Sequence, residues 1–187
     1  SRLNKIVEIN EEDMFVTVES GVTWAEMAAA LAEKNLRTPF WGPFSGLKAT
    51  IGGSSSQNSL SMGTSAYGGS PESILCYDIV LPSGEILKTG SSSMENSSAF
   101  FRHYGPDLTG LFSGDSGALG VKARITLRLI KLPTHTLTSS FGFKDYADMS
   151  AGMAAAAREQ SASSNWGLDP KLQQGQLGRT TLSDAIK

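Results

Sequence analysis

The stretch Val121-Lys122-Ala123-Arg124-Ile125-Thr126-Leu127-Arg128-Leu129 decides how the fold is read. Apolar side chains at 121, 123, 125, 127 and 129 alternate with Lys122, Arg124, Thr126 and Arg128. In an extended chain successive side chains point to opposite faces, so strict period two describes a strand with one face in a core and one in water. Strands of parallel sheets are covered on both faces and read as continuous apolar runs; a half-wet strand belongs to an antiparallel sheet. The same reading puts Lys122, Arg124 and Arg128 on the solvated face. Pro133 ends the strand and marks a domain boundary.

Working outward, the partners for this strand lie upstream. Ile6 to Ile9 and Phe15 to Glu19 are β-rich runs around the polar turn Asn10-Glu11-Glu12-Asp13, which predicts a hairpin. Ile74 to Leu81, the turn Pro82-Ser83-Gly84-Glu85 and Ile86 to Thr89 predict a second. Between them Thr23 with Glu26 three residues on is a capping box, and Val22 with Met27 supplies the hydrophobic staple. Trp24, Met27, Ala28 and Leu31 share a face at helical spacing, and the helix should stop near Lys34-Asn35, before Pro39. Leu108 to Phe112 reads as a short apolar turn. Beyond Pro133, Phe141-Gly142-Phe143 looks like a short strand. A helix is then predicted from Tyr146 to about Arg158, with Asp145 as N-cap and Met149, Met153 and Ala156 on its buried side.

Composition removes several function classes. The 187 residues are 40% hydrophobic and 18% charged, which suits a globular chain able to bury a core. Sixteen Lys and Arg against 18 Asp and Glu leave a net charge of −2, without the basic surplus a nucleic-acid partner requires. No apolar run approaches the ~20 residues of a membrane-spanning helix, so no transmembrane segment is expected. Cys76 alone cannot form an internal disulfide framework or a cysteine-based zinc site, and His103 and His135 are too few for a histidine-rich metal centre. The opening Ser1-Arg2-Leu3 enters a strand pattern almost at once. At the other end the loop Asp169 to Gly178 leads into Thr180 to Lys187, which reads as a helix barely begun. Both suggest a fragment of a longer protein.

From Pro39 to Ser70 periodicity disappears and Gly and Ser dominate. Such a stretch can be a flexible linker. Trp41, Phe44, Ile51, Met62 and Tyr67 argue against that, because a solvated linker gains nothing by exposing them. The alternative is an ordered loop in which Gly52-Gly53, lacking Cβ atoms, lets backbone N–H groups approach an anion or a polar ring edge. Neither a GxGxxG run nor a Walker lysine is present, so Rossmann and P-loop readings fail.

Ala49-Thr50-Ile51-Gly52-Gly53, then Asn58-Ser59 and Tyr67-Gly68, resembles a signature run of the FAD-linked oxidases of the p-cresol methylhydroxylase/vanillyl-alcohol oxidase type. Further similar segments fall in order. They are Val18-Glu19-Ser20-Gly21-Val22-Thr23-Trp24, Gly42-Pro43-Phe44-Ser45, Asp107 to Phe112, and Gly114-Asp115-Ser116-Gly117-Ala118-Leu119-Gly120-Val121. The resemblance covers roughly residues 1 to 133 and includes D-lactate and glycolate dehydrogenase-like members. It implies that Pro43, Ser45, Thr50, Gly52, Gly53, Asn58, Ser59, Tyr67, Gly68, Gly120 and Val121 line FAD. Gly42 stands where the family usually has Asp, Leu60 where a Gly is common, Ser116 where a Glu is common, and Pro106 where a Tyr is frequent. These departures bear on the hydroxy-acid subgroup.

Other candidates carry less. His103 reads as surface or hydrogen-bonded structure, Cys76 as a small buried hydrophobe, and Asp78 and Asp107 as single carboxylates without a visible partner. The expected fold is α+β, an antiparallel sheet flanked by helices. Residues 1–133 would form the second lobe of an FAD-binding domain, and 134–187 the start of a substrate-binding cap. The resemblance implies an FAD-dependent oxidoreductase acting on a hydroxyl-bearing carbon, with 2-hydroxy acids as the leading substrates. A phenol or aryl-alcohol oxidase and a non-catalytic FAD-binding subunit are the alternatives. It further implies a small-molecule substrate, an unidentified electron acceptor, catalytic residues outside this stretch, a cytoplasmic location with peripheral membrane association left open, and room for a homo-oligomer.

Overall fold

The computed structural model describes residues 2–172, so the expectation for Thr180 to Lys187 lies outside the described residues. The chain divides into two units, Ser1–Leu137 and Thr138–Lys187.

The first unit is built on a five-stranded antiparallel sheet. Its strands are β1 (Ile6–Asn10), β2 (Phe15–Glu19), β4 (Ile74–Val80), β5 (Ile86–Lys88) and β6 (Val121–Arg128), in the order β1-β2-β6-β4-β5. The strand that decided the sequence reading therefore sits at the centre, paired antiparallel to both β2 and β4. A two-stranded ladder joins β3 (Leu36–Arg37) to β7 (Ile130–Lys131). The α+β class and both hairpins are as the sequence indicated.

Helix α1 (Trp24–Ala32) begins where the capping box placed it. The Glu26 N–H donates to Thr23 Oγ1 at 3.2 Å, and the Thr23 N–H donates to Glu26 Oε2 at 2.9 Å. Trp24, Met27 and Leu31 are buried and join Val16, Val18, Val22, Ile51, Ile74, Tyr77, Ile79, Ile125 and Leu127 in one core. Each such apolar side chain contributes ~1.5–3 kcal/mol by leaving water. Ala28, expected on the same face, is exposed. Asn35, at φ +57°, turns the chain out of α1 into β3.

Strand β6 departs from its predicted alternation at one end. Asp78 pairs with Arg124 but Ile79 pairs with Lys122, so Ala123 is an extra residue on β6. A bulge of this kind shifts the parity of everything beyond it. Ile125 and Leu127 face the core as expected, whereas Val121 is 63% exposed and Lys122 only 5%. Assigning Lys122 to a solvated face was therefore wrong. Arg124 does stay half-exposed and lies 3.8 Å from Asp78.

The second unit holds α5 (Tyr146–Arg158), capped by Asp145, whose Oδ1 accepts the Asp148 N–H at 2.9 Å. Met149, Met153 and Ala156 are half-buried on one side of it. Phe141-Gly142-Phe143 is not a strand: it is exposed and pairs with no other segment among the described residues. A lone strand leaves its backbone groups without a ladder, so two aromatic residues around a glycine do not make one.

Candidate functional site

The Gly/Ser segment is ordered and contains two short helices, α2 (Ile51–Ser56) and α3 (Thr64–Tyr67). Thr50 caps α2, its hydroxyl accepting the Gly53 N–H at 3.1 Å. The first-turn N–H groups are all committed inside the protein. Ile51 donates to Val22 O, Gly52 to Ser20 O and Ser54 to Thr50 O. The expectation that N–H groups of Gly52-Gly53 await an anion is not met.

What α2 offers instead is an uncharged flank. Pro43, Ser45, Ala49, Thr50, Gly53, Ser54, Gln57 and Ser59 line an open groove of about 290 Å³. Five of the expected FAD residues come together there: Pro43, Ser45, Thr50, Gly53 and Ser59. The helical spacing of Thr50, Gly53, Ser54 and Gln57 puts these four on one side of α2. Ala49, Ser54 and Gln57 were missed. The period would have been visible had the segment been taken as helical, but Gly and Ser are poor helix formers and hid it.

The two glycines differ. A Cβ on Gly52 would lie 2.7 Å from both Cβ and O of Ser20, so this glycine lets α2 pack on the end of β2. A Cβ on Gly53 would meet only Thr50 Oγ1, at 3.2 Å, and would otherwise project toward the groove. Behind the groove the Trp24 indole donates to Ser54 Oγ at 2.7 Å and stands edge-on to Phe40, with ring centroids 5.1 Å apart. Gly42, at φ +104°, runs under that indole: a Cβ there would come within 2.7 Å of its Cγ. An Asp at 42 would have to displace the Trp24 indole.

The remaining expected residues do not line the groove. Asn58 (φ +50°) is exposed at the turn after α2. The Tyr67 ring centroid is 6.0 Å from the Arg37 guanidinium, which stacks at 4.1 Å on Trp41. Gly68 (φ +82°) caps α3. Gly120 packs against Ile79 and the Val80 carbonyl at the start of β6, beside the outward-facing Val121.

A second loop, at residues 113–119, holds α2 in place. Gly114 and Ser116 donate their N–H groups to the carbonyls of Ser55 and Ser56 at 2.8 and 2.9 Å. The loop follows α4 (Leu108–Leu111), capped by Asp107, which takes two bonds from the Arg102 guanidinium. The Arg102 bonds, ahead of the Gly110 N–H, hold the Asp107 carboxyl below its usual pKa although partial burial opposes them. Asp107 and Asp78 thus do have partners. Nearby, the Tyr77 hydroxyl meets Ser113 Oγ at 3.1 Å, and burial pushes its pKa up.

The groove has no ionisable residue in its lining, small side chains around it and a glycine whose missing Cβ keeps it open. Those features fit a neutral, flat or polyol part of a large cofactor. Residues 1–90 match the FAD binding domain family. The chain is 34% identical over 152 residues to a mitochondrial D-lactate dehydrogenase [cytochrome] of Arabidopsis thaliana, covering 80% of this chain and 25% of that protein. It is 32% identical over 131 residues to the glycolate oxidase subunit GlcD of Bacillus subtilis, covering 70% and 26%. An alkyldihydroxyacetonephosphate synthase structure shares the fold at TM-score 0.59 and 19% identity, over 72% of this chain and 22% of that one. The structural likeness shows an α+β fold, and the family match over residues 1–90 links it to FAD binding. Residues 1–90 are thus similar to the FAD-binding domain of FAD-linked oxidases, and FAD is the cofactor to which this similarity points. The chain spans about a quarter of the length of the curated relatives it matches.

Proposed function

We propose that the full-length protein is an FAD-dependent oxidoreductase that oxidises a hydroxyl-bearing carbon, with a 2-hydroxy acid as substrate. The observation that carries this reading is the uncharged groove along α2, which gathers five residues the family resemblance assigns to FAD. The names of the two relatives point to lactate and glycolate, both 2-hydroxy acids. Bound FAD would supply the two-electron acceptor. In this proposal Pro43, Ser45, Thr50, Gly53 and Ser59 contact the neutral part of the cofactor directly. Gly52, Asn58, Tyr67, Gly68, Gly120 and Val121 shape the same site. The doubly charged pyrophosphate calls for free N–H groups or cations, and the first turn of α2 has neither to give. It is therefore held by another part of the protein.

To the same reading belong residues 1–133 as the second lobe of the FAD-binding domain and 134–187 as the start of a substrate cap. A cytoplasmic location and an external electron acceptor complete it. No helix among the described residues is long and apolar enough to cross a membrane. One relative is named a subunit, which favours a second reading, an FAD-carrying component of a larger dehydrogenase. An absorbance spectrum of the purified full-length protein, followed by dye reduction with D-lactate and glycolate, tests both. Flavin bands with turnover support the enzyme, and flavin bands without turnover support the subunit. A colourless protein that does not take up added FAD overturns both.

A further inference from the structure

We propose that Asp115 and Lys122 are positioning residues for the FAD groove: their buried ion pair locks the loop at 113–119 against α2. This rests on the FAD reading above, because α2 supplies one side of the groove. The Lys122 ammonium bonds Asp115 Oδ1, and the two side chains are 3% and 2% exposed. The same carboxylate accepts the N–H of Gly117 at 2.9 Å and of Leu119 at 3.4 Å. Burial would raise the Asp115 pKa, but the Lys122 bond and these N–H groups outweigh it and keep the carboxylate ionised.

Three of the four residues from Gly114 to Gly117 are left-handed, at φ +69°, +53° and +78° for Gly114, Ser116 and Gly117. Ser116 lacks glycine's freedom, and such a conformation persists only where the surroundings impose it. Asp115 sits between these residues with three donors on one carboxylate. The loop it freezes presents the Gly114 and Ser116 N–H groups to the carbonyls of Ser55 and Ser56. Those bonds matter to a helix whose sequence is Ile-Gly-Gly-Ser-Ser-Ser, because little in its own propensity holds it. The bulge at Ala123 completes the device by turning Lys122 inward and Val121 outward. Two apolar side chains could fill the same space at least as stably. They could not collect three donors around one point.

The test uses the full-length protein and three variants: Lys122→Met, the neutral double variant Asp115→Asn/Lys122→Met, and the charge-preserving Lys122→Arg. FAD dissociation constants are measured by flavin fluorescence well below each unfolding midpoint. Amide exchange is followed at Gly114 and Ser116. Lys122→Met and the double variant should each bind FAD weaker by roughly tenfold or more, a change in binding that fluorescence titration resolves easily. Exchange at the two amides should accelerate, and Lys122→Arg should restore both readouts. Should Lys122→Met fail to fold, the double variant, which leaves no charge unpaired, carries the test. A lower melting temperature with unchanged FAD affinity and unchanged exchange would show that the pair only stabilises, and the proposal would fall. Absence of FAD binding by the wild-type protein would instead overturn the functional reading, and the exchange data would still decide whether the pair holds the loop on α2.

Discussion

Gly52 and Gly53 are chemically identical neighbours with opposite surroundings. Substituting Gly52 with Ala drives a methyl group into Ser20 backbone and side chain at 2.7 Å, so α2 must shift on the sheet. Overpacking of this kind costs ~1–3 kcal/mol, and a urea titration of Gly52→Ala should show a midpoint lowered to match. An unshifted midpoint would mean that the Ser20 contact yields freely. Gly53→Val should behave the other way. Its side chain meets Thr50 Oγ1 and then the groove, so the fold should survive, with an unchanged circular dichroism spectrum, while flavin content is lost. A variant that purifies yellow with full flavin content would reduce Gly53 to an ordinary turn glycine. The resemblance named both residues as FAD contacts and could not separate them, because only the packing partner behind each one tells them apart.

At the level of elements, legibility followed the range of the interactions. Helices α1 and α5 start at Thr23 and Asp145 as read, because a cap is a bond across three residues and leaves its mark in the sequence. Helix α2 was invisible, since bonds to distant segments substitute for propensity: Ile51 and Gly52 donate to the carbonyls of Val22 and Ser20, and those of Ser55 and Ser56 accept from Gly114 and Ser116. The bulge in β6 was equally hidden: it exists only in the register against β4. Phe141 to Phe143 failed for the complementary reason, a local pattern without a partner. The Asp107 and Asp115 carboxyls, both held below their usual pKa, make the α4 region acid-sensitive. A lowered native pKa contributes stability above the unfolded value of ~3.9 and loses it as pH falls through the native value. Urea midpoints should therefore drop between pH 5 and pH 2, and less steeply in Asp107→Asn. Parallel profiles for the two proteins would remove Asp107 from the account. Tyr77, raised by burial, acts in the alkaline range: its contribution is intact below ~10 and lost as pH rises through the native value. Tyr77→Phe should flatten that limb.

For the molecule as a whole, the division between Leu137 and Thr138 falls in a stretch where every residue from 131 to 148 is exposed. Exposed chain without a regular hydrogen-bond ladder is where proteases bind first. Brief digestion with a protease of broad specificity should cut between Leu132 and Lys144 and leave the first unit intact by mass. Early cuts inside β6 would refute that division. FAD is longer than the groove along α2, and the chain covers only 25% and 26% of the two relatives described above. This chain by itself should accordingly bind FAD weakly. The groove meets only part of the cofactor, so the contacts that would hold the rest of it are missing from this chain. Submicromolar binding in a fluorescence titration would show that the first unit alone holds most of the site.

The bulge at Ala123 also makes the strand's frame countable. Lys122 is shielded because Ala123 stands as surplus; with Ala123 paired in the ladder, Lys122 would stand in water. Deleting Ala123 would remove the surplus while leaving Arg124 opposite Asp78 and Lys122 opposite Ile79, so Lys122 would stay turned inward on Asp115 and Val121 outward. Reaction with an acetylating reagent, read by mass spectrometry, would report that facing at a single atom. In the native chain and after the deletion alike, Lys122 should stay unmodified while the exposed Lys88 and Lys131 react; acetylated Lys122 in the deletion variant would show that the strand takes another register.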